Sequence, residues 1–136
     1  MKRIFAVMLS MMLSAVACSD PIPPVAPTPV SPTLEEPFTG TLTVFGSNVH
    51  SFTVKEVGGL QVIISSVDPS AAIGIGIGTP SVTTGTCTLL NRLTTVAGPG
   101  AQLSGTATVA GNFCLQVYDV GNLVESVAYT VTVIHS

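Results

Sequence analysis

From Gly40 onward, apolar and polar residues alternate one by one. "GTLTVFG" puts Leu42 and Val44 on one side and Thr41 and Thr43 on the other. "VHSFTVK", "LQVIISSV", "LSGTATVAG", "FCLQVYDVG" and "VAYTVTVIH" carry the same rhythm. A period of two is that of a pleated strand with one buried and one wet face. Threonine and valine fill these runs, as half-buried pleated surfaces favour. Turn signals close them: Gly46-Ser47-Asn48, Gly58-Gly59, Asp68-Pro69, Gly98-Pro99-Gly100, Gly111-Asn112 and Gly121-Asn122. No segment carries a convincing helical period of 3.6. Seven to eight short strands spaced about ten residues apart predict an all-β antiparallel sandwich or barrel. The expected core is Leu42, Val44, Phe52, Val54, Val62, Ile64, Ile73, Ile75, Ile77, Leu103, Phe113, Leu115, Val117, Tyr129, Val131 and Val133.

"AAIGIGIGTP", residues 71 to 80, raises the question of a phosphate-binding loop. A dinucleotide loop needs G-x-G-x-x-G between a strand and a helix. Here Gly74, Gly76 and Gly78 are followed by Thr79, Pro80 and "SVTTGTC", which has no helical pattern, and the segment has no lysine. The stretch therefore reads as a strand, with Ile73, Ile75 and Ile77 inward and the glycines outward. Glycine inside a strand marks a bulge or a close approach by another backbone or ligand. Two accounts stand: a strand covered by its own chain, or a flat strip that binds an extended partner. Tyr118, out of phase with Phe113, Leu115 and Val117, is expected to lie exposed and to share such a surface.

The N-terminus carries an address. "MKRIFAVMLSMMLSAVAC" opens on Lys2 and Arg3, and an apolar run of about fourteen residues follows, too short for a bilayer span of about 20. It has the order of a secretory signal. The ending "AVAC" resembles the lipobox of bacterial lipoproteins, with Ala15 where leucine is usual. The resemblance implies cleavage after residue 17 and acylation of Cys18. It also implies export to the outer membrane, because Ser19 rather than aspartate follows the cysteine. More than one acyl chain is what stable anchoring requires. With Cys18 lipidated, two cysteines remain, Cys87 and Cys114, and an exported chain folds where such pairs oxidise. A disulfide between them is expected; zinc spacing is not present.

Residues 18–37 read as a linker. Seven of the ten prolines fall here, among small and polar residues that cannot build a core. Such segments are disordered or extended at about 3.1 Å per residue and act as tethers. The domain is then residues 38–136. Beyond the signal, Lys55 and Arg92 face seven acidic residues, so there is no basic cluster for nucleic acid.

The order "HSFTV", "GLQVII", "IGIGIGTP", "TCTLL" and "LSGTATVAGNFCLQVYDVGNLVESVAYTVTV" resembles the bacterial pre-peptidase C-terminal (PPC-like) domain. Gly111, Phe113, Leu115 and Val117 match its glycine-led strand, and Tyr129 to Val133 its closing strand. The resemblance implies a jelly-roll-like sandwich, usually accessory and non-catalytic, and carries no catalytic residues with it.

The candidate chemistry is sparse. His50 falls in a strand, where a lone histidine is usually a surface residue. His135 is penultimate, where chains fray. A triad of His50 with Asp68 or Asp119 has no support in spacing, and no G-x-S-x-G elbow occurs. Asp119, Asn122 and Glu125 share one turn and are weak calcium candidates; a plain solvated turn is the preferred account. No cofactor and no enzymatic activity are expected. The sequence reads as a lipid-anchored cell-envelope protein that binds or scaffolds, with an envelope protein or a glycan as partner. The alternative is a carbohydrate-binding module using Tyr118.

Overall fold

The computed structural model describes residues 33–136, and of residues 91–93 the backbone alone. The signal peptide, Cys18 and the linker up to residue 32 lie outside the described residues. Eight strands are formed: β1 (Leu34–Leu42), β2 (Ser47–Val54), β3 (Gly58–Asp68), β4 (Ile73–Pro80), β5 (Cys87–Ala97), β6 (Gln102–Ala107), β7 (Gly111–Tyr118) and β8 (Val127–His135). They make two four-stranded antiparallel sheets, β1-β8-β3-β6 and β2-β7-β4-β5. The pairings are nested: β4 with β5, β3 with β6, β2 with β7, β1 with β8. The chain is thus one long hairpin wrapped into two layers, and every connection but β4–β5 changes sheet. This is the jelly-roll arrangement.

The layers close over the residues that the alternation turns inward. Ile73, Ile75, Ile77, Leu115, Val117, Val131 and Val133 are all fully buried. Each buried aliphatic side chain contributes on the order of 1.5–3 kcal/mol. Val44 and Leu103, expected in the core, are half-buried against it, one in the β1–β2 turn and the other on the edge strand β6. Val67 was absent from the expected core because β3 breaks register between Ile64 and Ser66. The extra residue returns Val67 to the inner face, so strict alternation loses count there.

β1 begins at Leu34, four residues inside the stretch read as linker. Pro37 does not prevent this, because β1 is an edge strand, where proline is tolerated. Glu36 and Phe38 then face inward, to His135 and His50.

The glycines of β4 are covered by the protein's own chain, the first of the two accounts, and Gly74, Gly76 and Gly78 form no open binding strip. The Tyr118 ring lies over Gly74, where an added Cβ would strike it. Leu89 and Thr94 of β5 close over Gly76, and the β5 main chain at Thr88 and Leu89 passes directly over Gly78. All three glycines are buried. The Cys87–Cys114 disulfide explains the crossing. It joins β5 to β7, although β4 lies between them in the sheet. Strands flanking a third lie about 9.5 Å apart in a flat sheet, yet these two Cα atoms are 5.9 Å apart. The start of β5 therefore rises over β4, and only a residue without a side chain fits beneath it. The bridge closes a separation of 27 residues, worth roughly 3–4 kcal/mol in the chain-entropy account.

The glycines can be ranked by what a methyl group would meet. Gly78→Ala, against backbone, is expected to cost about 2 kcal/mol or more. Gly76→Ala meets the ends of side chains that can turn aside and costs less. Gly59→Ala, with open space around it, stays within about 0.5 kcal/mol of the parent. Denaturant unfolding of the three variants checks the order.

Candidate functional site

Two groups of polar side chains stand out, one inside the sandwich and one at its end. The first lies along the side where β1 and β2 meet. Gly40 sits opposite Tyr129, which leaves room for the tyrosine ring. Asn48 Nδ2 donates to the Tyr129 hydroxyl at 3.0 Å and to the Thr41 carbonyl at 2.9 Å. The same hydroxyl lies 2.7 Å from His50 Nε2. The hydroxyl's own proton is available to a neutral His50. The His50 ring also stacks on Phe38 at 5.0 Å. Burial holds the His50 pKa below its ordinary value and pushes that of Tyr129 up.

His135 corrects the expectation of a fraying end. It is 1% exposed, and β8 pairs it with Leu34 on one side and Leu60 on the other. Its Nε2 lies 2.8 Å from Glu36 Oε1, and its ring packs against Phe52. The phase of Tyr129, Val131 and Val133 already pointed position 135 inward. Both histidines are thus absorbed into packing, and neither is paired with Asp68 or Asp119.

The second group organises the end of the sandwich carrying the β1–β2, β3–β4, β5–β6 and β7–β8 loops. Its centre is Asp119, just after β7. One carboxylate oxygen accepts from the Phe45 amide at 2.8 Å. The other accepts from the amides of Gly121, Asn122 and Leu123 at 2.8, 3.1 and 3.3 Å. These backbone bonds, that from Phe45 foremost, hold the Asp119 pKa below its ordinary value. A carboxylate engaged in this way acts as a loop clamp, whereas Asn122 contributes its backbone amide and Glu125 lines the neighbouring cleft. Among the described residues no group of three histidine, cysteine or acidic side chains could hold a metal.

The clamp fixes an unusual residue. In the turn closed by the Gly46 amide on the Thr43 carbonyl at 2.8 Å, Val44 packs inward and Phe45 turns out. Phe45 has a φ of 58° and is 85% exposed. A bulky residue in the left-handed region is an outlier that costs about 1–3 kcal/mol and persists only when its surroundings hold it. Nearby in the β7–β8 loop, Val120 and Val124 are exposed. A cleft of about 330 Å³ opens between this loop and the β3–β4 loop, lined by Pro69, Ser70, Ala71, Asn122, Val124 and Glu125 among others. The end therefore offers apolar side chains on a pinned backbone beside a shallow recess. That suits contact with another surface rather than bond-breaking chemistry. The sequence reading missed Phe45, because "TVFGSN" scores as a turn and the alternation gives no reason for an aromatic there. Tyr118, expected to be exposed, is half-buried with its ring on Gly74.

Two pH effects follow. His50 has a depressed folded pKa, so its contribution is complete above the ordinary value of 6.5 and is lost as pH falls through the folded value. Stability should decline on mild acidification, and His50→Gln should flatten that decline in pH-dependent thermal unfolding. For Asp119 the sign is the same but the window is that of a carboxylate below its ordinary value. Asp119→Ala at neutral pH should speed amide exchange at Phe45, Gly121, Asn122 and Leu123 while core strands stay protected.

No family model matches the chain, and no curated protein matches it. Among solved structures it is similar to the crystal structure of Aeromonas hydrophila PliG, a periplasmic lysozyme inhibitor of g-type lysozyme. The TM-score is 0.54 and the identity 17%, with 73% of this chain and 83% of that chain covered. At this identity the likeness shows a shared fold.

Proposed function

We propose that this is an exported, lipid-anchored and non-catalytic protein of the bacterial envelope, whose PPC-like sandwich holds a protein partner at its loop end. The observation that carries this reading is Phe45, kept exposed in a strained conformation by Asp119. Strain of this kind gathers at functional sites, and aromatic residues on a pre-ordered backbone make good interface anchors. The direction of the chain supports it. The linker enters at Leu34, and β1 runs nine residues to Leu42 beside the loop end, about 30 Å away. A tether from Cys18 would thus hold the apolar tip away from its own membrane, the outer one on the strength of Ser19. The engagement of both histidines and of Asp119 in structural bonds supports a non-catalytic role. PliG, a periplasmic protein of this fold, inhibits another protein, so lysozymes belong on the panel of partners.

The carbohydrate-binding alternative rests on Tyr118. Its ring is committed to covering Gly74, which makes a sugar platform the weaker reading.

Two experiments test the proposal. Mass spectrometry of the membrane fraction should find diacyl or triacyl Cys18 at the N-terminus, and Cys18→Ala should move the protein to the soluble fraction. The immobilised full chain should retain an envelope protein or a lysozyme, with binding reduced tenfold or more by Phe45→Ser, a loss of about 1.4 kcal/mol or greater, and unfolding unchanged. Retention of cell-wall glycans that is lost on Tyr118→Ala would favour the alternative instead.

A further inference from the structure

A two-sheet sandwich has four edge strands, and each must be kept from pairing with another chain. Here they are β1, β6, β2 and β5. β1 is blunted. Thr41 turns its carbonyl to the free edge, where Asn48 occupies it. Pro37 lies in phase with Thr41 and so presents to the same edge a position without an N–H. β5 breaks its register opposite Gly76 and Gly78 and rises over β4. β6 has six residues, one of them Gly105.

β2 has no such device. Its eight residues, "SNVHSFTV", contain no proline, glycine, lysine or acid. Its pairing with β7 runs from Ser47 to Val54 without a shift. The ladder phase is fixed by the Asp119 amide donating to the Gly46 carbonyl at 3.0 Å. This makes the even-numbered residues of β2 the ones bonded to β7, since hydrogen-bonded and non-bonded pairs alternate. Ser47, Val49, Ser51 and Thr53 therefore turn their N–H and C=O groups to the free edge, and their side chains are exposed.

We propose that the β2 edge pairs with the β2 edge of a second copy of this chain. The two strands run antiparallel about a dyad at His50 and join the two four-stranded sheets into one of eight. The edge is complementary to itself. With His50 opposite His50 of the partner subunit, Ser47 meets the partner's Thr53 and Val49 meets the partner's Ser51. Inner faces continue into inner faces and outer into outer, as the period of two demands. All four outward-facing residues of each strand find partners, giving about eight main-chain hydrogen bonds. No charged side chain faces another across the seam, so nothing on either strand repels the pairing. This is the occupant that the edge itself specifies. The inference stands independently of the partner reading above.

The test uses the full chain in mild detergent, with mass measured by sedimentation or light scattering across a concentration series. A dimer mass at high concentration is expected, and with it slowed amide exchange at Ser47, Val49, Ser51 and Thr53. Ser51→Pro removes one edge donor per copy without touching the β2–β7 ladder, and should weaken dimerisation about tenfold. Val49→Lys and Ser51→Glu test the register. Mixed together, the two variants should form a heterodimer, because Lys at 49 of one copy lies opposite Glu at 51 of the other; they need no proline and keep the strand fold. A monomer at every concentration with fast-exchanging edge amides overturns the proposal. Edge amides that become protected only when another envelope protein is added overturn it too, and assign the edge to a foreign strand.

Discussion

β4 is approached closely on both of its faces, and the rest of the structure is arranged around that fact. Its isoleucines fill the space between the sheets, while its glycines let β5 and Tyr118 settle onto the other side. Close packing of a strand on two faces is ordinary in parallel sheets covered by helices, but in a small antiparallel sandwich one face is usually wet. Here the second cover is the chain itself, held down by the Cys87–Cys114 bridge across Gly78. The bridge and the glycines belong together. A side chain at position 78 would displace β5 and draw the cysteines apart.

The same economy appears on the side formed by β1 and β2. Gly40 admits the Tyr129 ring, whose hydroxyl then joins Asn48 and His50 in a bonded set. Glu36 and His135 tie the first described strand to the last. Buried polar groups are costly when unpartnered and specify a unique arrangement when paired. No buried side-chain nitrogen or oxygen among the described residues lacks a partner. These contacts lock the outermost pair of a nested hairpin, β1 with β8, which must close last in sequence distance.

What remains available to other molecules is an end and an edge. The end is built by one carboxylate that gathers four amides and keeps Phe45 outside. The edge is β2, which lacks the proline and capping of β1 and the register break of β5. A rigid scaffold with loops at its ends is a common way for sandwiches to carry recognition. The strands carry few charges, Glu35, Glu36, Asp68 and Arg92, so little repulsion keeps copies apart.

By itself, the sequence determined that the chain would be all β, which residues would face inward, and that Cys87 and Cys114 would pair. Alternation has only two phases, so once Ile75 or Val131 is assigned to the core its neighbours follow. His135 shares that phase, but its place near the end of the chain led to the opposite expectation, which its burial overturns. The start of β1 was less legible, because prolines that suit a linker also suit an edge strand, and only the pairing of Leu34 with His135 distinguishes them. Tertiary structure alone decided which surface the glycines of β4 would meet, since a glycine signals close approach without naming what approaches. It alone made Asp119 a clamp and set Phe45 in the open. Both outcomes depend on residues more than seventy positions apart, Phe45 and Asp119, and no local pattern carries the distance between them.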